Sequence, residues 1–228
     1  MMFNMHFDLK RYVVLCVAFF LSACVDAKQS AQANTQTAQN ESAVTQPKVL
    51  IAYLTRTKNT EALAKMIQQR VDGELRALAL QNPYPENYQA NVDQVDAENR
   101  RGYLPPLRTQ LDDVGNFELI FVGFPTWDMQ LPPPVKSFLN QANLSGKIVV
   151  PFNNHAGYGL GQSMQQFRQY CKGCKIADVL SLQGGKERDV VLYVMKGSKA
   201  EQAQVQIDRW LKQLAENQPQ LATILNDQ

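Results

Sequence analysis

The sequence predicts an α/β domain in which a parallel sheet is covered by helices on both faces, the doubly wound arrangement. Short apolar runs, such as residues 49–54 and 117–124, alternate with stretches whose apolar residues have helical spacing. The runs are apolar on both faces, which is typical of strands buried in a parallel sheet. Three of them lead directly into chemically rich loops at 55–60, 124–128 and 153–161, and such loops meet at one end of a parallel sheet.

The first predicted strand–helix unit begins with the strand at 49–54. Residues 55–60 are dense in hydroxyls and positive charge, and an amphipathic helix is predicted over 61–70. A helix that starts directly after a strand points its free N–H groups and the positive end of its dipole at the loop. Asn59 or Thr60 can cap this helix. We interpret 55–60 as a phosphate-binding turn, and a capped turn that binds nothing is the alternative.

The later elements continue the alternation. An alternating strand at 74–80 precedes a polar helix or irregular excursion at 86–101. The remaining predicted elements are a strand at 117–124, a helix opened by Pro132-Pro133-Pro134, a strand at 147–152, a helix at 162–170, a strand at 175–182, a strand-like run at 189–195 that would be an edge or inserted strand, and a closing amphipathic helix at 201–215.

Charge and motifs exclude several classes of function. The chain has 228 residues and a formal charge of +2, which gives no electrostatic footprint for nucleic acid. No stretch matches a nucleophile elbow, a Walker loop or a dinucleotide G-x-G-x-x-G after the first strand. The glycines at 157, 159 and 161 have the wrong spacing and position for NAD.

The N-terminal residues have the pattern of a targeting segment. Lys10 and Arg11 precede an apolar run at 12–21 that is too short to span a bilayer and suits a signal-peptide core. Leu21-Ser22-Ala23-Cys24 then resembles the lipobox of bacterial lipoproteins. That resemblance implies removal of residues 1–23 and acylation of Cys24. An uncleaved anchor with a chance cysteine is the alternative.

This N-terminal pattern predicts a protein held outside the cytoplasm by a lipid anchor, facing the periplasm if the cell has two membranes. Residues 24–46 comprise the acylated cysteine and a segment rich in Gln, Ala, Ser, Thr and Asn, which predicts a flexible tether. The residue after the cysteine is Val25 and not aspartate, which would favour the outer membrane in a cell with two membranes. The folded domain is predicted to span 47–228.

Several motifs together resemble a known family. Residues 55–60 read T-R-T-K-N-T, close to a T/S-x-T-G-x-T phosphate loop, and residues 123–127 match G-x-P-x-W. The stretch from Tyr84 to Tyr88, the helix after the three prolines and the glycine-rich loop extend the similarity. The chain thus resembles the flavodoxin-like family, particularly its small bacterial flavodoxin-domain branch. In flavodoxin itself the strand order is 2-1-3-4-5 and FMN lies at the switch point, so the resemblance implies both.

The resemblance also implies roles for individual residues. Hydroxyls, an amide and backbone N–H groups would hold the phosphate, Trp127 would stack on the flavin ring, and glycines would let the third loop approach its pyrimidine edge. The residues so assigned to FMN are Thr55, Thr57, Asn59 and Thr60 at the phosphate, Pro125, Thr126, Trp127 and Asp128 along the ring, and His155, Gly157, Tyr158 and Gly159 near the pyrimidine edge. Arg56 and Lys58 are also assigned to the phosphate, because the geometry of this loop favours anions, and a solvated basic turn is the alternative.

Two residues depart from the family pattern. Lys58 stands where the family has glycine, so a left-handed backbone there would be strained. Either the loop adopts another conformation, or the lysine replaces geometry with charge. Ala156 replaces a second glycine. Tyr158 is either a stacking residue or an exposed loop tip, and His155 is a hydrogen-bonding loop residue whose imidazolium would favour the anionic reduced flavin.

Cys171 and Cys174 form a C-x-x-C pair at the end of a predicted helix. Outside the cytoplasm such a pair favours a local structural disulfide. A zinc site lacks two further ligands at an evident spacing, and a dithiol that exchanges electrons with the flavin is a further alternative.

The first functional hypothesis is an FMN-binding electron-transfer protein that serves a redox partner protein or a quinone and needs no catalytic side chain. Asp128 is the only acid in the three loops, so we expect a less negative reduction potential than that of flavodoxins rich in acidic loop residues. The alternatives are an FMN-dependent NAD(P)H or quinone reductase, and a flavodoxin-like binding module that has lost FMN.

Overall fold

The structure, a computed structural model, describes residues 47–226, which belong to one compact unit. The predicted signal peptide, the acylation site at Cys24 and the tether lie outside the described residues. Within 47–226, none of the helices combines the length and the hydropathy that a membrane crossing requires.

Strands and helices alternate along the chain, as the sequence predicts. The elements are β1 Val49–Tyr53, α1 Asn59–Val71, β2 Glu74–Ala77, α2 Tyr88–Arg101, β3 Leu119–Pro125, α3 Pro133–Gln141, β4 Ile148–His155, α4 Ser163–Tyr170, β5 Lys175–Ile176, β6 Leu180–Gln183, α5 Gly197–Asn217 and α6 Pro219–Asn226. Short 3₁₀ turns occur at Val114–Asn116 and Glu187–Asp189.

The strands form one parallel sheet in the order β2-β1-β3-β4-β5, and β6 also pairs with β4. This confirms the doubly wound class and the order 2-1-3-4-5. The direction of strand addition reverses between β1 and β3, which are neighbours in space. Their carboxyl ends therefore border the crevice where ligands bind in open α/β sheets.

Helices cover both faces of the sheet, as predicted. Side chains alternate along each strand, so Ile51 of β1 packs on one face and Leu50 on the other, and both are fully buried. On the Ile51 face the core includes residues of α1, α5 and α6. On the Leu50 face it includes residues of α3 and α4.

Two predicted strands differ in the structure. The strand predicted at 175–182 is divided into β5 and β6, which pair with successive parts of β4. The prediction of a strand at 189–195 is wrong, because a 3₁₀ turn and a left-handed residue, Val190, reverse the chain there. Only Val191 forms a bridge, with Lys186. Apolar composition alone suggested that strand.

The C-terminal helical region is longer than predicted. The closing helix runs over Gly197–Asn217, and a further helix follows at Pro219–Asn226. Proline suits the first turn of a helix, where its missing N–H has no partner to lose. Leu221 and Ile224 bury the second helix against the core that contains α1 and α5.

Candidate functional site

The loop between β1 and α1 ends with Lys58, which adopts the left-handed conformation at φ 63° and ψ 2°. The lysine therefore adopts a left-handed backbone, which glycine would adopt without strain. Helix α1 begins at Asn59, and Lys58, its N-cap residue, makes no side-chain capping bond. This corrects the prediction of a cap by Asn59 or Thr60. The N–H groups of the first turn lack this side-chain cap, and such groups bind anions.

The three threonines of the loop differ in their hydrogen bonds. The Thr55 hydroxyl is buried without a partner among the described residues. The Thr57 hydroxyl accepts a bond from Asn59 Nδ2 at 2.8 Å, which leaves its own proton free to donate. The Thr60 hydroxyl donates to Asn154 Oδ1 at 2.5 Å. Two hydroxyl donors, those of Thr55 and Thr57, are thus available to a ligand.

Asn59 has a different role from the one that the resemblance implies. Its side chain is buried, and its Nδ2 donates to the carbonyl of Leu192 at 2.6 Å. Its Oδ1 accepts from the N–H of Val194 at 3.0 Å. The amide therefore holds the segment that follows the second 3₁₀ turn, and only the backbone of Asn59 remains available to an anion.

The guanidinium of Arg56 is occupied by protein partners. Its Nε lies 2.9 Å from the Glu187 carboxylate, and Nη1 and Nη2 donate to the carbonyls of Pro85 and Glu86 at 3.0 and 2.6 Å. These partners compete with the predicted contact of Arg56 with a phosphate, although the side chain still lines the cleft. The side chain also connects the loop after β1 to two distant segments that border the same cleft.

Trp127 is displayed by a two-residue turn after β3. Trp127 and Gln130 exchange backbone hydrogen bonds of 3.3 and 2.8 Å, and Asp128 and Met129 between them have φ of 49° and 53°. Two consecutive positive φ angles define a type I′ turn. The Trp127 ring is half-buried and meets Tyr84 edge-on at 5.7 Å. It lies at the cleft, as the sequence predicts, and not in the interior of a core.

His155 is the last residue of β4, which is longer than predicted. Its Nδ1 accepts the N–H of Gly157 at 3.0 Å. Burial, and secondarily the positive charge of Lys199, lowers the pKa of His155 below its usual 6.5. The lowered pKa favours the neutral imidazole over the imidazolium, and the bond to Gly157 is that of a hydrogen-bonding loop residue.

Beyond Ala156, the third loop does not line the cleft. Gly157 and Gly159 have φ of 101° and 79°, and Tyr158 between them is 59% exposed. The ammonium of Lys186 lies 5.6 Å from the centre of the Tyr158 ring. These three loop residues do not line the cleft, so the structure does not support the predicted contact of Gly157, Tyr158 and Gly159 with a ligand there.

A cleft of about 250 Å³ lies beyond the carboxyl ends of β1, β3 and β4. It joins one end of the loop after β1 to the aromatic turn after β3. The structure brings eight of the predicted site residues to this cleft: Arg56, Thr57, Thr60, Pro125, Thr126, Trp127, Asp128 and His155. Thr55, Lys58 and Asn59 lie in the adjoining loop without lining the cleft.

One wall of the cleft was missed by the sequence analysis. Tyr88, Asn91, Val92 and Val95 of α2 line it, spaced as one helical face. Asn91 is only 4% exposed, and its Nδ2 has no hydrogen-bond partner among the described residues. Apolar residues at this spacing in an otherwise polar helix were the available signal. The cleft is completed by Asn154, Ala156, Gly185 and Glu187.

A buried amide fixes the ends of three strands beneath the cleft. Asn153 Nδ2 donates to the Phe124 carbonyl and to the Thr126 hydroxyl, both at 3.0 Å. Its Oδ1 accepts from the Ser181 hydroxyl at 3.0 Å. Because all of these polar atoms are paired, the network rigidifies the cleft floor.

Cys171 and Cys174 are joined by a disulfide with a Cα–Cα distance of 5.8 Å. The pair follows α4, and Gly173 beside it accepts a hydrogen bond from Gly146, before the amino end of β4. The disulfide therefore lies at the end of the sheet opposite the cleft, which argues against electron exchange with a ligand bound there.

Comparison with known proteins identifies the family. The family model described as Flavodoxin matches residues 48–196, more than half of the chain. The chain belongs to the flavodoxin family. A comparison with curated proteins gives no match.

Solved structures share the fold of this flavodoxin. A protein of Bacteroides eggerthii described as a flavoprotein has a TM-score of 0.59 and 21% identity, covering 74% of this chain and 98% of its own. One from Bacteroides uniformis has a TM-score of 0.56 and 22% identity, with coverages of 63% and 95%. The flavoprotein of Lactobacillus acidophilus in complex with FMN has a TM-score of 0.53 and 22% identity, with coverages of 59% and 93%. At these identities the likeness supports the fold alone.

Proposed function

We propose that this flavodoxin binds FMN in the cleft and carries electrons between redox partners outside the cytoplasm, held to a membrane through Cys24. The observation that carries the proposal is the position of the cleft. It lies at the switch point of the sheet and joins an uncapped helix start to an aromatic turn. One solved relative of the same fold is complexed with FMN.

The loop after β1 fits a phosphate. The Thr55 hydroxyl is buried and unpaired, and a buried unpaired donor is costly unless a ligand satisfies it. Thr57 has a proton to donate, and α1 presents N–H groups without a side-chain cap. The exposed Lys58 adds a positive charge beside them.

The other part of the cleft fits a flat heteroaromatic ring. Trp127 and Pro125 line it with apolar surface, and the α2 wall adds Tyr88 and Val92. The unpaired amide of Asn91 suits a carbonyl acceptor such as the flavin ring carries.

When bound, FMN supplies one- and two-electron redox chemistry, and the residues of this chain hold and shield it. The neutral His155 and the carboxylate of Asp128 need not act as acid or base in such a role. Glu187 brings a second carboxylate to the cleft, but Arg56 neutralises it. We therefore keep the expectation of a less negative reduction potential, which a redox titration measures.

The test of electron carriage uses the purified FMN-loaded protein, reduced anaerobically with dithionite and then mixed with oxidised cytochrome c. A carrier transfers its electrons stoichiometrically and does not accelerate the oxidation of NADH or NADPH by a quinone. Repeated turnover of NADH or NADPH with the quinone would instead identify a reductase and contradict the proposal of a carrier.

The membrane anchor is tested separately. Expressed in a bacterial host with radiolabelled palmitate, the chain should incorporate label and fractionate with membranes. A Cys24→Ser variant should lose both properties, whereas Cys171→Ser, which breaks only the disulfide, should retain them. Equal labelling of the Cys24→Ser variant would show that this residue is not the acylation site.

A further inference from the structure

Residues 190–193, which we call the apolar finger, form an exposed apolar projection beside the cleft. Val190 is 81% exposed, and Val191, Leu192 and Tyr193 are 47%, 47% and 43% exposed. The finger follows directly after Gly185 and Glu187, which line the cleft. Exposed apolar patches of this kind mark surfaces that contact another molecule.

The finger is held in place by hydrogen bonds. Lys186 and Val191 exchange backbone bonds of 2.6 and 3.1 Å at its base. Asn59 holds the Leu192 carbonyl, and the Tyr193 hydroxyl donates to the carbonyl of Met195 at 2.6 Å. The finger is therefore exposed because hydrogen bonds hold it in that position, and not because it is a loose loop.

The tip of the finger is strained. Val190 has φ of 60°, a left-handed conformation that is unfavourable for a β-branched residue. Glycine or asparagine would adopt it more easily. A strained residue lowers stability, and such residues are found mainly at functional sites. An exposed valine at this position therefore indicates a role for the apolar side chain outside the fold.

Other exposed apolar residues border the same cleft. Tyr88 and Val92 line it, Met129 follows the lining residue Asp128, and Tyr158 contacts Lys186 at the base of the finger. Among the large apolar side chains exposed in residues 47–226, only Tyr103 and Val205 lie elsewhere.

The cationic side chains of Lys58 and Lys196 are exposed at this end of the sheet, and neither forms an ion pair within the described part of the chain.

The length of the predicted tether allows this surface to reach the bilayer that anchors the chain. Residues 25–46 separate the predicted acylation site at Cys24 from the domain. About 22 such residues span up to roughly 75 Å when extended and about 26 Å on average. As a measure of the distance between the two ends of the sheet, the eight residues of β4 span about 26 Å. The tether joins the amino end of β1, opposite the cleft, and is long enough for either end of the domain to face the bilayer.

We propose that the apolar finger contacts the surface of the bilayer that anchors Cys24, so that the cleft faces the membrane. Apolar and aromatic side chains enter the interface, and nearby lysines attract anionic headgroups. The anchor keeps the domain at a high effective concentration, so a contact that is weak by itself suffices. This inference rests on the proposed anchor and does not require FMN.

The test places tryptophan reporters in the full chain, purified with its anchor and reconstituted without FMN in vesicles of phosphatidylethanolamine and phosphatidylglycerol. The vesicles contain phospholipids with a doxyl quencher on the acyl chain. Leu192→Trp reports on the finger, and Val205→Trp, an exposed apolar position on α5, is the matched control. The unaltered chain gives the background from its own tryptophans.

We expect the doxyl lipid to reduce the added fluorescence of Leu192→Trp at least about twofold more than that of Val205→Trp. Adding Val191→Asp should abolish this excess, whereas adding Val205→Asp to the Leu192→Trp chain should leave it unchanged. Val191 is half exposed, so the charge is compatible with folding, which circular dichroism verifies.

Equal quenching at the two reporter positions would overturn the proposal, and so would excess quenching of Leu192→Trp that persists with Val191→Asp. The finger would then be a contact surface for a protein partner. If Cys24 carries no acyl group, the chain from Cys24 onward is coupled through that thiol to a maleimide phospholipid. The same comparison then tests the finger independently of natural acylation.

Discussion

Non-glycine residues with positive φ are concentrated around the cleft. Lys58 precedes α1, Asp128 and Met129 form the turn after Trp127, and Val190 is the tip of the finger. The fifth such residue within the described range 47–226, Asp72, is the C-cap of α1. Each costs backbone free energy, which asparagine or glycine would reduce. Their location supports a site whose side chains are selected for binding and not for stability.

The Val190→Asn substitution should stabilise the fold. Because asparagine tolerates the left-handed region, we expect a gain of about 1 kcal/mol in the free energy of unfolding. Urea denaturation measures it as a higher midpoint at constant slope. Val205→Asn makes the same change at an exposed helical position, where the two residues have similar propensities. A gain no larger than that of this control would show that Val190 is unstrained.

The Lys58→Gly substitution separates backbone geometry from charge. It should stabilise the protein without ligand, because glycine adopts the left-handed backbone freely. It should also weaken FMN binding about fivefold, since a charge-assisted contact worth about 1 kcal/mol is lost. Riboflavin, which lacks the phosphate, serves as the control in fluorescence titrations. A loss of equal size for riboflavin would argue against phosphate contact by Lys58.

His155 should make stability depend on pH near neutrality. Its pKa is lowered in the folded protein, so at a pH just below 6.5 the unfolded chain binds more protons than the folded one. Stability should therefore fall as pH decreases from about 6.5 toward the lowered pKa. Within residues 47–226 it is the sole histidine, so His155→Gln should flatten this part of the profile. An unchanged slope in urea denaturation would contradict the assignment.

Among the elements, the strand–loop–helix units were predictable and the wall formed by α2 was not. Buried strands carry continuous apolar runs, and the loops after β1 and β3 carry recognisable residue types. Residues 189–195 are equally apolar, but long-range bonds from Asn59 hold them outside the sheet. Nothing local in the sequence indicates a partner about 130 positions away.

Helix α2 should become more rigid when FMN binds. Its buried residues are Asn91, Val95 and Glu98, and it contributes little to the two cores. A ligand in the cleft would add contacts along its inner face. Amide exchange measured by mass spectrometry should therefore slow over 88–101 on addition of FMN, while exchange in α5 stays constant. Equal slowing in both helices would indicate general stabilisation and not a local contact.

For the whole molecule, alternation of apolar runs predicted the doubly wound class, and the family resemblance supplied the strand order. The cleft was correctly expected at the carboxyl ends of the strands. Its full lining could not be predicted, because Glu187 and Gly185 reach it through a segment far along the chain. Arg56 is an example, because the sequence predicts that it contacts a phosphate, whereas in the structure it pairs with Glu187, 131 positions away.

The most direct test of FMN binding in the cleft is retention of flavin by the purified protein. After incubation with FMN and desalting, the unaltered chain should keep about one flavin per molecule, seen in its visible absorption spectrum. Thr55→Val removes a hydroxyl that is unpaired in the protein alone. This variant should unfold at the same or higher urea concentration yet lose most of the flavin. A folded unaltered protein that emerges colourless would contradict the proposed cofactor, and with it the electron-carrier function.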